Sequence, residues 1–360
     1  MNYETTLNLH NHTIYSDGHG KYQDIAEAAS KNNVDVVIIT DHNIRPRGLE
    51  KYYQTSGKDV LILTGEEIHD RTLNPQKNHM LVFGVEEELS HLGKNPQWLI
   101  DRIQKNNGFA FLAHPNEDAL SFFKEPDISW INWDVQGYNG LEIWNGMSEF
   151  KTVVDESLLK AIIYAYFPHL LARGANKFTM QKWDELLCNG KRIYAIGGTD
   201  SHAIPFKLGP FKRIIFPYEF HYSTVNNHIL TNKPLSGNFQ LDRQNLFDAI
   251  RAGHYFVGYD LPHPTKGFRF SAKGTFGEYI MGDAAQDEKN LTLQIKLPYG
   301  AICHLIHNGS IIQTWKHQEI CTYKAVEPGY YRVECHIPFM GRKRGWLYSN
   351  PIFLGKVGKI

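Results

Sequence analysis

Nine side chains able to bind a divalent metal, His10, His12, Asp17, His42, Glu66, His79, His114, Asp200 and His202, recur between residues 10 and 202. Imidazole and carboxylate together suit Zn, Mn or Fe(II), whereas a structural zinc or an iron–sulfur cluster would call for thiolates. No cysteine stands among the nine. A single histidine is weak grounds for a metal site. Nine such groups at the ends of strand-like runs point to a polynuclear metal hydrolase.

The runs themselves are legible. In Leu7-Asn8-Leu9-His10-Asn11-His12 a two-residue period sends the leucines to one face and both imidazoles to the other. Val34–Ile39 is a continuous apolar run, as expected of a strand buried on both sides, and it stops at Thr40-Asp41-His42. Val60–Leu63 precedes Gly65-Glu66, Phe109–Ala113 precedes His114-Pro115, and Tyr194–Ile196 precedes Gly197-Gly198-Thr199-Asp200-Ser201-His202. Helical patterns alternate with these runs, beginning with Tyr22–Lys31 and its apolar Ile25, Ala28 and Ala29. Strand–helix alternation implies an α/β fold with a mainly parallel sheet, and ligands at strand C-termini favour a barrel. His79 begins its strand, Met80–Val85, where the others end theirs, so that strand is expected to run antiparallel and distort the barrel.

Between Glu142 and Asp200 the pattern is mostly helical, with helices expected over Asp155–Arg173 and Met180–Leu187. An insertion that leaves and re-enters at the ligand face is a natural substrate wall, with Arg173 and His169 its candidates to reach substrate. Leu241–Ala252 reads as a helix closed by Gly253. Beyond Pro264 short alternating strands follow, Leu291–Leu297, Ala301–Ile306, Ile311–Trp315 and Tyr330–Ile337, with a hairpin signal at Asn308-Gly309. The expected organisation is a barrel over 1–264, with a helical insertion at about 146–190, and a small β-sandwich over 265–360.

The 360 residues carry 38 basic and 38 acidic side chains, which leaves no basic footprint for nucleic acid. Histidine, at 18 residues, is about twice an ordinary share. The N-terminus lacks the charged and apolar regions of a signal peptide, and no apolar stretch is long enough to cross a bilayer. Cys188, Cys303, Cys321 and Cys335 show no Cys-x-x-Cys spacing, so reduced thiols and a cytoplasmic location are expected.

His10-Asn11-His12 with Ser16-Asp17-Gly18, Thr40-Asp41-His42, Gly65-Glu66, His79, Ala113-His114-Pro115 and Gly198-Thr199-Asp200-Ser201-His202 resembles the polymerase and histidinol phosphatase (PHP) superfamily over residues 7 to 205. Glu142-Ile143-Trp144-Asn145, the helical insertion, Gly329–Val333 and Ser349-Asn350-Pro351 look like its carbaryl-hydrolase-like branch, which joins the barrel to a C-terminal β domain. The resemblance implies a distorted (β/α)7 barrel and a trinuclear centre. By that analogy His10, His12, Glu66 and Asp200 hold the first ion, Glu66, His79 and His114 the second, and Asp17, His42 and His202 the third. Two to three Mn, Fe or Zn ions per chain would activate a bridging hydroxide for in-line attack on phosphorus.

The reading is a metal-dependent phosphoesterase acting on a small phosphate ester, with Glu66, Asp200 and His202 as catalytic residues. Its alternatives are a metallohydrolase of carbamate or amide bonds and a metal-stabilised binding module without catalysis. Arg45, Arg173 and Lys207 are candidate phosphate contacts. Asp41 is expected to orient an imidazole, and Glu142 and Asn145 to face the site. The partners expected are a small-molecule substrate, no nucleic acid and no membrane, and an oligomer is compatible with the sequence. The C-terminal histidines, His304, His307, His317 and His336, are expected in surface or packing roles.

Overall fold

The computed structural model describes residues 3–208 and 211–355. Strand β1 (Tyr3–Leu9) pairs in parallel with β2 (Val36–Ile39), Leu7, Asn8 and Leu9 lying opposite Val36, Val37 and Ile38. Helix α1 (Tyr22–Lys31) makes the crossover and buries Ile25, Ala26 and Ala29. β2 pairs in parallel with β4 (Val60–Ile68), and β3 (Lys51–Tyr53) covers the first half of the far edge of β4. β5 (Met80–Phe83) lies antiparallel to the second half of β4 and to β6 (Phe109–Leu112). No helix links β4 to β5, so the chain has no crossover with which to return in parallel. This is the distortion expected from His79. Helix α2 (Pro96–Lys105) leads into β6, which continues in parallel to β7 (Gly140–Asn145) and β8 (Tyr194–Gly198).

The ring closes where the amide of Thr199 donates to Leu9 O at 3.1 Å, that of Ser201 to His10 O at 3.2 Å, and that of His12 to Ser201 O at 3.0 Å. The closing bonds therefore run through the ligand motifs themselves. Between β7 and β8 lie α3 (Gly146–Val154), α4 (Leu158–Tyr166) and α5 (Lys177–Cys188). The single helix expected over Asp155–Arg173 is shorter at both ends. Asp155 and Glu156 take left-handed φ of 48° and 59°, Ser157 caps α4, and Pro168 lies just past its end. The hairpin β9 (Ile204–Leu208) and β10 (Phe211–Ile215) follows, then α6 (Tyr218–Tyr222), β11 (Val225–Thr231), α7 (Phe239–Ala252) and β12 (Tyr255–Tyr259). Gly253 caps α7 with φ 75°, as its sequence predicts.

The remaining strands are β13 (Arg269–Lys273), β14 (Glu278–Ile280), β15 (Ala284–Ala285), β16 (Leu291–His307), β17 (Ser310–Ala325), β18 (Gly329–Phe339), β19 (Arg342–Ser349) and β20 (Ile352–Leu354). Pro298, Tyr299 and Gly300 read as a turn in sequence, but the ladder absorbs them as a register shift, so two expected strands fuse into β16. Asn308 and Gly309, with φ 46° and 79°, form the tight turn between His307 and Ser310. This β-rich segment has its own core, including Phe270, Leu293, Val333 and Trp346. It is nonetheless tied to the α/β part, because β19 pairs with β12, and Tyr330, Tyr348 and Phe353 pack into the barrel core. Among the described residues no helix is long and apolar enough to cross a membrane.

One buried ionic network spans the join. His228 on β11 lies 2.9 Å from Glu4 Oε1 and 3.2 Å from Asp260 Oδ2, and Arg269 of β13 donates to the other Glu4 oxygen at 2.5 Å. Burial alone would lower the pKa of His228, but Asp260 and Glu4 outweigh it and raise it to about 9. A histidine whose folded pKa is raised stabilises fully below its unfolded value, near 6.5, and that contribution is lost as pH rises through the folded value. Urea titrations of wild type and His228→Gln should therefore differ most between pH 5 and 6.5. The pH-dependent part of the gap, up to about 3 kcal/mol at 1.36 kcal/mol per unit, should vanish by pH 9 to 10. A gap constant with pH would contradict the charged assignment.

Candidate metal centre

At the end of β1 the two-residue period works as expected, and it brings His10 and His12 to one face, fully buried. They meet the carboxylate of Glu67, not of Glu66. Glu67 Oε2 lies 3.0 Å from His10 Nε2, 3.2 Å from His12 Nε2 and 3.1 Å from His42 Nδ1. Its other oxygen lies 2.6 Å from His79 Nδ1 and 2.9 Å from His114 Nε2. One carboxylate thus faces five imidazoles from four strand ends.

Glu66 is the correction that the structure forces on the sequence reading. Along β4 side chains alternate, so Glu67 shares the inward face with Leu61 and Leu63, which pack in the barrel core. Glu66 shares the other face with Val60 and Ile62, which pack under α1. There its Oε1 accepts from the amide of Leu89 at 3.4 Å, and burial followed by the hydrogen bond to Glu88 raises its pKa to about 9. At neutral pH Glu66 is an uncharged acid outside the cluster.

Asp200 completes the inner group, with Oδ1 3.1 Å from His12 Nε2 and 3.4 Å from His10 Nε2. A second group adjoins it towards solvent: Asp17 lies 3.2 Å from His202 Nε2 and 3.6 Å from His42 Nε2. Four sets of side chains have ligand atoms close enough for a shared ion: His10, His12, Glu67 and Asp200; His42, Glu67 and His79; His12, Asp17, His42 and His202; and His114, Glu117 and Asp200. The donor sets are consistent with two to three divalent ions. Three of these residues hold left-handed φ, His10 at 68°, Asp200 at 54° and His114 at 26°, a conformation costly for a side chain with a Cβ. Packing and the closing ladder hold them there.

Around the ligands a further layer fixes ring orientation. Glu142 accepts from His10 Nδ1 at 2.8 Å and from the amide of His114 at 2.7 Å. The Asp200 carbonyl accepts from His202 Nδ1 at 2.8 Å. Glu117, buried and paired with Lys151 at 2.5 Å, lies 3.6 Å from His114 Nδ1. His69 stacks on His79 with ring centres 4.7 Å apart. Glu67, Glu117, Lys151 and His69 escaped the sequence reading. Glu67 alone carried a signal, as the second carboxylate of Gly65-Glu66-Glu67. Asn145 faces the cluster as expected, its Nδ2 3.3 Å from Asp200 Oδ2, and it also caps α3. Asp41 orients no imidazole: it accepts from the Thr13 amide and hydroxyl at 2.7 and 2.8 Å and from the Ser16 hydroxyl at 2.7 Å, which holds the loop carrying Asp17.

The electrostatics fit a metal. Burial lowers His10, His12 and His114, yet neighbouring carboxylates more than reverse this and hold all three above an ordinary histidine. His42 and His79 are held down by burial, with nearby imidazoles adding to it. Glu67 and Asp200 are kept ionised despite burial by the surrounding rings. His12 Nε2, His42 Nδ1, His79 Nε2 and His114 Nδ1 are buried without a hydrogen bond, an arrangement that costs free energy unless a ligand takes the lone pairs. Ions and protons compete for such nitrogens, and the donor set suits ions.

Of the three candidate phosphate contacts, Arg45 is corrected. It is buried, 3.3 Å from both Glu50 and Glu86, so its charge is committed to structure. Lys207 sits exposed on β9, and no hydrogen bond or ion pair joins it to the cluster among the described residues. Arg173 lines a cavity of about 710 Å³ bounded at one end by His114, Glu142 and Asn145.

The PHP domain family model matches residues 8–130. An uncharacterized protein of Methanocaldococcus jannaschii is 29% identical over 119 residues, a match covering 30% of this chain and 66% of that protein, just under two thirds of its length. A two-domain protein of Bacteroides vulgatus containing a predicted PHP-like metal-dependent phosphoesterase aligns at 14% identity over 97% of this chain and 95% of that one, with a TM-score of 0.44. A protein of Bifidobacterium adolescentis proposed to be a metal-dependent phosphoesterase aligns at 15% over 57% of this chain and 92% of that one, with a TM-score of 0.34. The assignment rests on neither structure but on the matched domain and the clustered ligands within and beyond it. Residues 8–130 carry a PHP domain, and the ligands clustered within and beyond it mark a metal-dependent hydrolase.

Proposed function

We propose that the protein is a metal-dependent phosphoesterase that releases phosphate from a small ester. The single observation that carries the proposal is Glu67, one carboxylate set among five imidazoles, with Asp200 and the Asp17–His42–His202 group alongside. His10, His12, Glu67 and Asp200 would hold one ion, Glu67, His79 and His114 a second, and Asp17, His42 and His202 a third, of Mn, Fe or Zn. Bound there, such ions supply Lewis acidity that polarises a phosphoryl group and acidifies water. The chain's own residues supply position. Glu142 fixes His10, the Asp200 carbonyl fixes His202, and Glu117 faces the free nitrogen of His114. Residues 1–264 and 265–360 are read as two units, on the plan of the carbaryl-hydrolase-like branch.

Elemental analysis of metal-replete protein, coupled to a phosphate-release screen over sugar, nucleotide and amino-acid phosphates with aryl carbamates included, tests this reading. We expect two to three equivalents of metal and turnover of a phosphate monoester that chelation abolishes. One ion or none would count against the polynuclear centre. Carbamate hydrolysis without phosphate release would transfer the assignment to the alternative chemistry.

A further inference from the structure

The cavity beside the cluster is built from three parts of the chain that are remote in sequence. His114, Glu142 and Asn145 bound one end, the insertion supplies Ser148, Thr152, Arg173, Asn176 and Lys177, and the β-rich segment supplies Glu334, His336 and Tyr348. Its volume of about 710 Å³ lies within the range of small-molecule sites. Glu334 and His336 alternate onto one face of β18 and line the cavity, Glu334 with one oxygen paired to buried Arg332 and His336 in place of the surface or packing role expected of it.

The contact between insertion and β-rich segment is specific. Buried Arg344 donates to the carbonyls of Leu170 and Ala172, the amide of Gly345 donates to Arg173 O at 2.7 Å, and Tyr348 Oη accepts from the amide of Ala175 at 3.2 Å. Gly174 holds φ 143°, and a Cβ there would lie 2.7 Å from Tyr348 Oη. From the other side Glu149 accepts from the amides of Arg173 and Gly174. The backbone of Arg173 is thus clamped between α3 and β19, and its guanidinium is aimed by a bond to Tyr164 Oη at 2.8 Å. These bonds are an investment in the position of one cationic side chain on the cavity wall.

Resting on the phosphoesterase reading, we infer that this cavity receives the organic part of the ester, and that the β-rich segment is part of the substrate site through Glu334 and His336, which line it together with Arg173. The lining is rich in amide, hydroxyl and charged groups. Beside them stand apolar Trp144, Phe178 and Met180, a mixture that matches a group of sugar or polyol size: its C–H faces meet the apolar side chains while its hydroxyls donate to Glu334 and accept from Arg173, contacts that an aryl ester without hydroxyls leaves unmade.

The test uses full-length, metal-loaded enzyme with p-nitrophenyl phosphate and a set of pentose, hexose and polyol phosphates, with Arg173→Met, Glu334→Gln and His336→Asn as variants. We expect kcat/KM for a sugar or polyol phosphate to exceed that for the aryl ester. Each variant should lower it by about 10- to 100-fold, mainly through KM, with a loss at least about tenfold greater than on the aryl ester. Equal losses on both esters, or no loss in Glu334→Gln and His336→Asn, would overturn the inference while leaving the phosphoesterase reading intact. If no ester is hydrolysed, that reading fails, and calorimetric binding of glucose 6-phosphate and ribose 5-phosphate decides the cavity separately. Weaker binding in folded variants than in wild type supports it, and no binding to wild type, or equal binding, overturns it.

Discussion

Glu67→Gln should lose activity by more than about a hundredfold and at least one equivalent of metal, while Glu66→Gln, one residue away, should lose neither. The contrast follows from the faces of β4. The Glu67 carboxylate has an oxygen within 3.2 Å of each of five imidazoles. An amide offers one neutral acceptor and two donors, so it would compete with protonated rings and could not balance bound cations. At Glu66 the amide replaces a group that burial and Glu88 already keep neutral, with a pKa of about 9, so Glu66→Gln should stay within about 1 kcal/mol of wild type. Metal content by elemental analysis, turnover and urea midpoints for both variants decide the matter. If Glu66→Gln proved the inactive one with Glu67→Gln near normal, the inward face of β4 would be wrongly assigned.

Gly198→Ala, the addition of one methyl group, should weaken metal binding by about 10- to 100-fold. A Cβ at Gly198 would lie 1.8 Å from Glu142 Oε1 and 2.8 Å from His10 Cβ. Glu142 must then leave the oxygen–nitrogen contact of 2.8 Å that orients His10, because the β8 backbone is held by its ladder to β7. Overpacking of this kind costs about 1–3 kcal/mol of stability, which a chain of this size should survive folded. If the effect passes through Glu142, then Glu142→Gln should weaken metal binding to a similar degree, and the double variant should be little worse than either single one. Calorimetric metal titration of the three proteins measures this directly, and full additivity of the two losses would show that Gly198 acts by another route.

Eight of the nine residues singled out by type and spacing converge in space, whereas the ninth, Glu66, is displaced by its neighbour. The eight were legible because a metal ligand on a barrel must project from a strand end, and strand ends are marked in sequence by apolar runs giving way to His, Asp or Thr. Glu66 and Glu67 follow the same run, and their chemistry is identical. Only the side of β4 that faces the barrel separates them, and that is set by whether Val60 and Ile62 or Leu61 and Leu63 pack under α1. Since all four are apolar, hydrophobic pattern alone could not choose. Arg45 illustrates the same limit, for it became a structural cation only when the fold brought Glu50 and Glu86 around it.

By itself the sequence determined the alternation of strand and helix, the antiparallel turn of β5, the cap at Gly253, the Asn308-Gly309 hairpin and the imidazole and carboxylate character of the donor set. These depend on local periodicity, φ preference and ligand chemistry, which a few neighbouring residues specify. Tertiary structure alone decided which glutamate enters the centre, that Glu117 and Lys151 stand behind His114, and that β18 and β19 reach across to the insertion to wall the cavity. Each of these rests on side chains from different elements meeting through burial and ladder closure, as Glu117 meets Lys151, 34 positions on, and Ala175 meets Tyr348, 173 positions on. Contacts at that range leave no periodic trace in a chain, because the free energy that fixes them comes from packing between elements and not from the conformation of either element alone.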